Sequence, residues 1–192
     1  MNSVVVGSTD IDLNILDKMF QLRDKVFCER LGWEVESNQG RERDWYDDLD
    51  PVYIISRTPE DNVEGCWRIL PTTGPYMLAD TFPTLLHGQN PPRAPDTWEL
   101  SRFAVSPASE KEQRQGSFHP VTMQMIRGVF SFAKDHDITN YVTVISVGVE
   151  RLLRRAGFPL ERLGPSQRIG KVGTVACFIP VNEQFRQAAF AA

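Results

Sequence analysis

The chain has 192 residues, 41% of them hydrophobic and 24% charged, with a net charge of −4. That is the length and balance of one globular domain with a sizeable core. No apolar run approaches the roughly 18 residues of a membrane span, and an acidic chain without a reading motif argues against nucleic acid.

Residues 1–7 lack the basic region and long apolar stretch of a secretion signal and predict a first strand over residues 3–7. Thr9 or Asp10 then serves as the cap of a helix running to about Glu29. Ile15, Met19, Leu22 and Val26 recur at helical spacing as a core stripe, and Leu16, Phe20, Arg23 and Phe27 run beside it. Arg23 therefore lies one turn from two aromatic rings. A cation there is either a snorkelling side chain or an anion receptor at the rim of a pocket, and spacing leaves both open.

Residues 30–51 form a polar, acid-rich connection, long enough to suggest a functional lid. Trp33, Trp45 and Tyr46 argue against disorder in it, because aromatic rings gain from burial. Glu42, Asp44, Asp47, Asp48 and Asp50 make an acidic cluster, with Asp48 and Asp50 read as solvated turn residues. Residues 52–57 and 63–70 predict a hairpin that places Arg68 next to Trp67. Residues 71–95 are rich in turn formers, with one short helix near residues 81–87.

Residues 97–105, Thr-Trp-Glu-Leu-Ser-Arg-Phe-Ala-Val, have the composition of a buried strand but carry Glu99 and Arg102. An unpaired buried charge is costly, so each must be paired or face a polar cavity. Strand alternation puts Glu99, Ser101 and Phe103 on one face and Leu100 and Arg102 on the other unless a bulge intervenes, which argues against a simple pair between the two charges. Residues 106–117 read as a polar loop. Residues 120–135 read as a helix with Ile126, Val129, Phe130 and Ala133 on one face. Residues 141–147 form a continuous β-branched strand, hence a central one. A helix over residues 148–156 follows, ended by Gly157, then a strand over 172–179 and a short helix after Asn182.

This order predicts an α/β fold: a three-layer α-β-α sandwich with a mixed central sheet, one domain over residues 1–192. The plan resembles the N-acyltransferase fold, an analogy of pattern that by itself says nothing of activity. Residues 140–192 hold seven Lys or Arg against three acids, giving +4 and leaving −8 for the remainder. A basic C-terminal part in an acidic chain suits an acidic partner.

Several motifs fail on inspection. Gly164 to Val172 is not a P-loop, because its glycines are one residue too far apart and Val172 stands where Ser or Thr is needed. Arg154-Arg-Ala-Gly157 half-resembles the pyrophosphate turn of acetyltransferases without its second small residue. His87, His119 and His136 lack metal spacing and are read as solvated, so no metal site is expected. Cys28, Cys66 and Cys177, with no CxxC among them, read as reduced thiols of a cytoplasmic protein.

Taken together, Arg23-x-x-x-Phe27, Trp33, Asp44-x-x-Asp47, Arg68 and Glu99-Leu-Ser-Arg102-Phe103 resemble the signature of the acyl-homoserine-lactone synthases, the LuxI-type autoinducer synthases of bacterial quorum sensing. The resemblance runs from about residue 20 to 105, fills eight separated positions, and continues more weakly through residues 142–163. It implies two substrates, S-adenosyl-L-methionine and an acyl group on acyl carrier protein, with no cofactor and no metal. It implies Glu99, Arg23 and Arg102 as catalytic residues, and Arg23, Phe27, Trp33, Asp44, Asp47, Arg68 and Arg102 around S-adenosylmethionine. Asp44 and Asp47 would meet the cationic end and an arginine the carboxylate, while Glu99 would take the amine proton directly or through a water.

An acyl pocket is expected from Trp67, Phe103, Met123, Met125, Ile126, Val142, Thr143 and Leu153, suited to medium or long chains. Thr143 goes, in the resembling family, with acyl chains oxidised at carbon 3. Arg151, Arg154 and Arg155 are expected to dock the carrier, with the enzyme monomeric, cytoplasmic and free of membrane. Two other readings remain: an acetyl-CoA-dependent N-acetyltransferase, which should keep an intact pyrophosphate turn, and a non-catalytic module that binds an acyl ligand.

Overall fold

The structure, a computed structural model, describes residues 3–8, 10–106 and 118–190. Thr9, one of the two expected caps, and residues 107–117 of the expected polar loop lie outside these. Two compact units emerge: Met1–Ile69 with Arg102–Val129, and Leu70–Ser101 with Phe130–Ala192.

In the first unit, β1 (Ser3–Gly7) runs antiparallel to β4 (Val52–Arg57), with Val5 opposite Ile55. β4 runs antiparallel to β5 (Val63–Pro71), with Val52 opposite Ile69. Helix α1 (Leu13–Asp24) buries Ile15, Met19 and Leu22 against Tyr53, Ile55, Cys66 and Ala104, as its apolar stripe predicts. Its cap is Asp12, whose carboxylate accepts from Asn14 N, and not the expected Thr9 or Asp10; Asp10 accepts instead from Ser8 N. Nor does α1 run unchanged to residue 29. At Lys25 it widens into a π-helical turn, Lys25–Arg30, which carries Phe27.

The long connection is ordered as well. β2 (Ser37–Asn38) and β3 (Arg41–Glu42) form a two-residue ribbon, followed by a 3-10 turn, Trp45–Asp48. The first half of α3 (Pro120–Asp135) belongs to this unit and buries Val121, Met125 and Ile126. Helix α3 approaches β5 so closely that a Cβ at Gly65 would meet the Met125 methyl at 2.7 Å and Val121 Cγ1 at 2.9 Å.

In the second unit, the start of β6 (Thr97–Val105) runs parallel to β7 (Asn140–Ser146), with Leu100 opposite Thr143. β7 runs antiparallel to β10 (Val172–Pro180), and β10 also carries the short β8 (Glu161–Arg162) and β9 (Gln167–Ile169). Parallel and antiparallel pairs together make the sheet mixed, as expected. The predicted short helix resolves into two helical turns, α2 (Met77–Asp80) and a 3-10 turn over Pro83–Leu86. Leu78, Leu85 and Leu86 from these turns join Tyr76, Val142 and Ala176 in a buried cluster. Helix α4 (Val147–Arg155) starts at Ser146, whose hydroxyl accepts from Val149 N. Gly157 follows it at φ +88°, a conformation that favours glycine. Helix α5 (Glu183–Phe190) comes last.

Candidate active site

Three arginines and three carboxylates converge in the first unit. Arg23, in the last turn of α1, is 1% exposed. Its Nε donates to Glu42 Oε2, and its two Nη groups donate to Asp47 Oδ1 and Oδ2 at 2.8 and 2.9 Å. Arg68 on β5, also 1% exposed, grips both oxygens of Asp44 and reaches Asp47 Oδ1 at 2.8 Å. Arg102 on β6 donates to Glu42 Oε1 at 3.0 Å and pairs with Asp44 Oδ2 at 2.7 Å. The Tyr53 hydroxyl completes the cluster by donating to Asp47 Oδ1 at 2.7 Å. The formal charges cancel, which is the condition for burying so many ionised groups.

Local chemistry explains the spacing of the two aspartates. Asp44 caps the 3-10 turn by accepting from Tyr46 N, and the Asp47 carboxylate reaches back to Asp44 N at 2.9 Å. This reciprocal capping box sets both carboxylates at one end of the turn. Burial alone would raise the Asp47 carboxyl, but the Arg23 and Arg68 guanidinium groups outweigh it and hold Asp47 well below the usual carboxylate range. Burial likewise pulls against the Arg23 cation, and Asp47 and Glu42 overcome it, so Arg23 titrates above an ordinary arginine. Burial and the Asp47 charge push the Tyr53 phenol up, so it stays a donor.

Arg102 has φ +56°, a left-handed conformation inside a strand. For a non-glycine residue this stores local strain and breaks the regular pleat, so strict alternation does not carry across Arg102. Its guanidinium lies 5.7 Å over the Phe27 ring. Phe27 is buried, and Trp33, 48% exposed, stacks on it with centroids 5.2 Å apart and planes within 4°. The π-helical turn thus delivers a ring that covers Arg102, and Trp33 covers that ring.

The sequence expects Asp44 and Asp47 to face a cationic ligand; in the structure both also accept from arginines, and the Asp44 side chain stays 12% exposed. Glu42, completely buried, and Tyr53 hold the same cluster together and are missing from the expected site. Glu42 could have been suspected from the acidic cluster, but it falls outside the Asp-x-x-Asp spacing.

In the second unit, Glu99 is 1% exposed and accepts from Met77 N and Leu78 N at 2.9 and 2.7 Å, anchoring the start of α2. The expected acyl-pocket residues are divided between the units. In the first, Trp67 and Phe103 meet edge to face at 4.9 Å, Met123 is half-buried, and Met125 and Ile126 are buried. In the second, Val142 belongs to the buried cluster and Leu153 is half-buried. The Thr143 hydroxyl donates to Leu100 O at 2.8 Å, so its proton already has an acceptor.

Arg151, Arg154 and Arg155 are exposed on α4. Arg154 is not a free cation: it pairs with the buried Glu150, which also grips the Nε/Nη2 edge of Arg162 with both oxygens. The hydrogen bond from Arg162 holds the Glu150 carboxyl below its usual range against the effect of burial. His119 departs from its expected solvated role, since it is buried and its Nδ1 accepts from Val121 N at the start of α3. Burial pushes the Cys66 and Cys177 thiols up to about 12, and burial with the Asp24 carboxylate pushes Cys28 up to about 11, so all three stay neutral thiols. Among the described residues, no group of His, Cys, Asp and Glu could hold a metal ion, and no helix is long and apolar enough to cross a membrane.

Residues 8–189 match the family described as autoinducer synthase. The chain is 43% identical over 185 residues to an acyl-homoserine-lactone synthase of Pseudomonas aeruginosa, an alignment covering 94% of this chain and 90% of that one. It is similar to the crystal structure of the AHL synthase LasI, with a TM-score of 0.88 and 39% identity over 100% of this chain and 96% of that one. It is also similar to BjaI, described as a CoA-dependent acyl-homoserine lactone synthase and solved with SAM and isopentyl-CoA, with a TM-score of 0.88 and 26% identity over 100% of this chain and 89% of that one. A structure of an N-acetyltransferase from Lactobacillus plantarum, 13% identical with a TM-score of 0.62 over 94% of this chain and 99% of that one, shares the fold alone.

Proposed function

The chain belongs to the autoinducer synthase family and is an acyl-homoserine-lactone synthase, and from that premise we propose that it joins S-adenosyl-L-methionine to an acyl group carried as a thioester on acyl carrier protein. The products are an N-acyl-L-homoserine lactone, methylthioadenosine and free carrier protein. The observation that carries this reading is the charge-balanced cluster of Arg23, Arg68, Arg102, Glu42, Asp44 and Asp47 under the Phe27–Trp33 stack. S-adenosylmethionine is itself a compact set of opposite charges: an ammonium, a sulfonium and a carboxylate. Arg102 and Asp44, with side chains 11% and 12% exposed, are the members a ligand can reach. Arg102 takes the substrate carboxylate and Asp44 its cationic part, while Arg23, Arg68, Glu42 and Asp47 hold these two in place.

The amine must be neutral to attack. A free α-amino group has a pKa near 8, so a base speeds the step at neutral pH. Glu99 is the base, acting through a water, with its carboxylate oriented by the backbone N–H groups of Met77 and Leu78. The nitrogen lone pair adds to the thioester carbonyl, the C–S bond breaks, and the carrier thiolate takes a proton. One oxygen of the methionyl carboxylate then displaces the sulfonium at the γ-carbon. The ring closes, the second C–S bond breaks, and methylthioadenosine leaves without charge. The stacked rings exclude water, which would otherwise compete for the thioester.

A carrier-borne donor, in place of a CoA thioester, fits the +4 C-terminal part with Arg151, Arg154 and Arg155 exposed on α4. Three neutral thiols fit a cytoplasmic protein, and a site drawn from one chain needs no second copy. The chain suits medium or long acyl groups. A 3-oxo group would have to take the Thr143 proton from Leu100 O, exchanging one hydrogen bond for another, which limits the preference it can gain.

One assay tests the reading: S-adenosylmethionine is offered with matched acyl-carrier and acyl-CoA donors, plain and 3-oxo, and products are identified by mass. Lactone and methylthioadenosine in equal amounts are expected, faster from the carrier-borne donor. Glu99→Gln should lower kcat at least a hundredfold at pH 7, in line with loss of a general base. Wild-type turnover in that variant removes Glu99 as the base, and exclusive use of acyl-CoA removes the carrier.

A further inference from the structure

Glu150 lies in the first turn of α4 and is 2% exposed. Its sign is wrong for the face it serves, since it subtracts a charge from a basic surface read as meeting an acidic partner. The partners it holds account for it. Oε1 accepts from Arg154 Nε at 3.0 Å and from Arg162 Nε at 2.7 Å, and Oε2 accepts from Arg162 Nη2 at 2.6 Å. Arg162 stands on β8 opposite Cys177 of β10, so the carboxylate ties a helix to the rim of the sheet. Only one edge of each guanidinium is used. The Arg154 and Arg162 side chains remain 46% and 39% exposed, and each guanidinium keeps N–H groups that Glu150 does not use. Two long side chains have thereby lost their rotamer freedom before any partner arrives.

We propose that Glu150 is a positioning residue for the acyl donor: it holds Arg154 and Arg162 as a preordered pair of forks that grip carboxylates on the surface of an acidic carrier protein. The proposal rests on the reading of a carrier-borne donor. Arg151 and Arg155, exposed and with no such clamp among the described residues, supply diffuse attraction that salt screens within a Debye length of about 8 Å, whereas the clamped pair supplies geometry.

Charge and positioning predict opposite signs, which makes the test sharp. Glu150→Gln keeps the shape and adds one positive charge to the face. Simple attraction then lowers KM for the carrier-borne donor; loss of preordering raises it by about fivefold, what about 1 kcal/mol of side-chain ordering amounts to. KM for S-adenosylmethionine, and kcat at saturating donor, should stay within about twofold. The double variant Arg154→Lys with Arg162→Lys keeps every charge, loses the forks, and should raise the same KM; it decides the matter if Glu150→Gln fails to fold. Arg151→Glu with Arg155→Glu tests the docking reading separately. If that reversal raises KM while Glu150→Gln lowers it or leaves it alone, positioning is overturned and docking stands. If neither changes KM, the docking reading falls and takes the proposal with it.

Discussion

Asp47 shows what a single residue does in this site. It accepts from Arg23, Arg68, Tyr53 and its own capping turn, and its ionised form is bound into the fold. Because its folded pKa lies below the unfolded value near 4, its contribution is complete above about pH 5 and is lost as pH falls. Asp47→Asn strands two buried guanidinium groups and should cost roughly 3–5 kcal/mol at pH 7. The gap between the variant and the wild type should narrow toward pH 3.5, as measured by denaturant midpoints at both pH values; a gap that widens on acidification would show that Asp47 is not held ionised. At this scale the sequence is informative about oddities and silent about partners. Glu99 and Arg102 stand out because charges are rare in an apolar strand. Glu42 does not stand out in a polar connection, and its partner Arg102 is 60 residues away.

Among the elements, periodic segments were legible and short or irregular ones were not. The core stripe of α1, the hairpin of β4 and β5, and the helix over Pro120–Asp135 follow from spacing. The π-helical turn leaves no compositional trace, and β2, β3, β8 and β9 are two or three residues long, below what alternation can reveal. Asp44-x-x-Asp47 reads in the sequence as a ligand pair because the chemistry of carboxylates is the same whether they meet a substrate or an arginine. The structure shows the pair also acting as a cap, and two substitutions separate the roles. Asn at Asp44 preserves the acceptor that starts the 3-10 turn and removes the charge, whereas Ala removes both. Asp44→Ala should therefore be about 1 kcal/mol less stable than Asp44→Asn, with both equally poor in turnover at limiting S-adenosylmethionine. Near-normal turnover of the Asn variant would detach the charge from substrate binding.

At the level of the whole molecule, the charges separate by role. Those around Arg23, Arg68 and Arg102, the proposed S-adenosylmethionine site, are closed into a neutral set, and those proposed to meet an acyl donor are left in excess on the C-terminal part. The mixed sheet and the class of fold were predictable from element order, since strands such as β5 and β6 are each continuous in sequence. The closed set also constrains descent. Removing one member leaves a buried charge unmatched at a cost that is a large share of the 5–15 kcal/mol by which folds survive, so the six positions should change in charge-balanced combinations far more readily than one charge at a time. A library randomised at Arg23, Glu42, Asp44, Asp47, Arg68 and Arg102 together, selected only for folded protein, should return balanced sextets and uncharged ones while single and triple charges are depleted; survivors spread evenly over all combinations would show that no such barrier divides them.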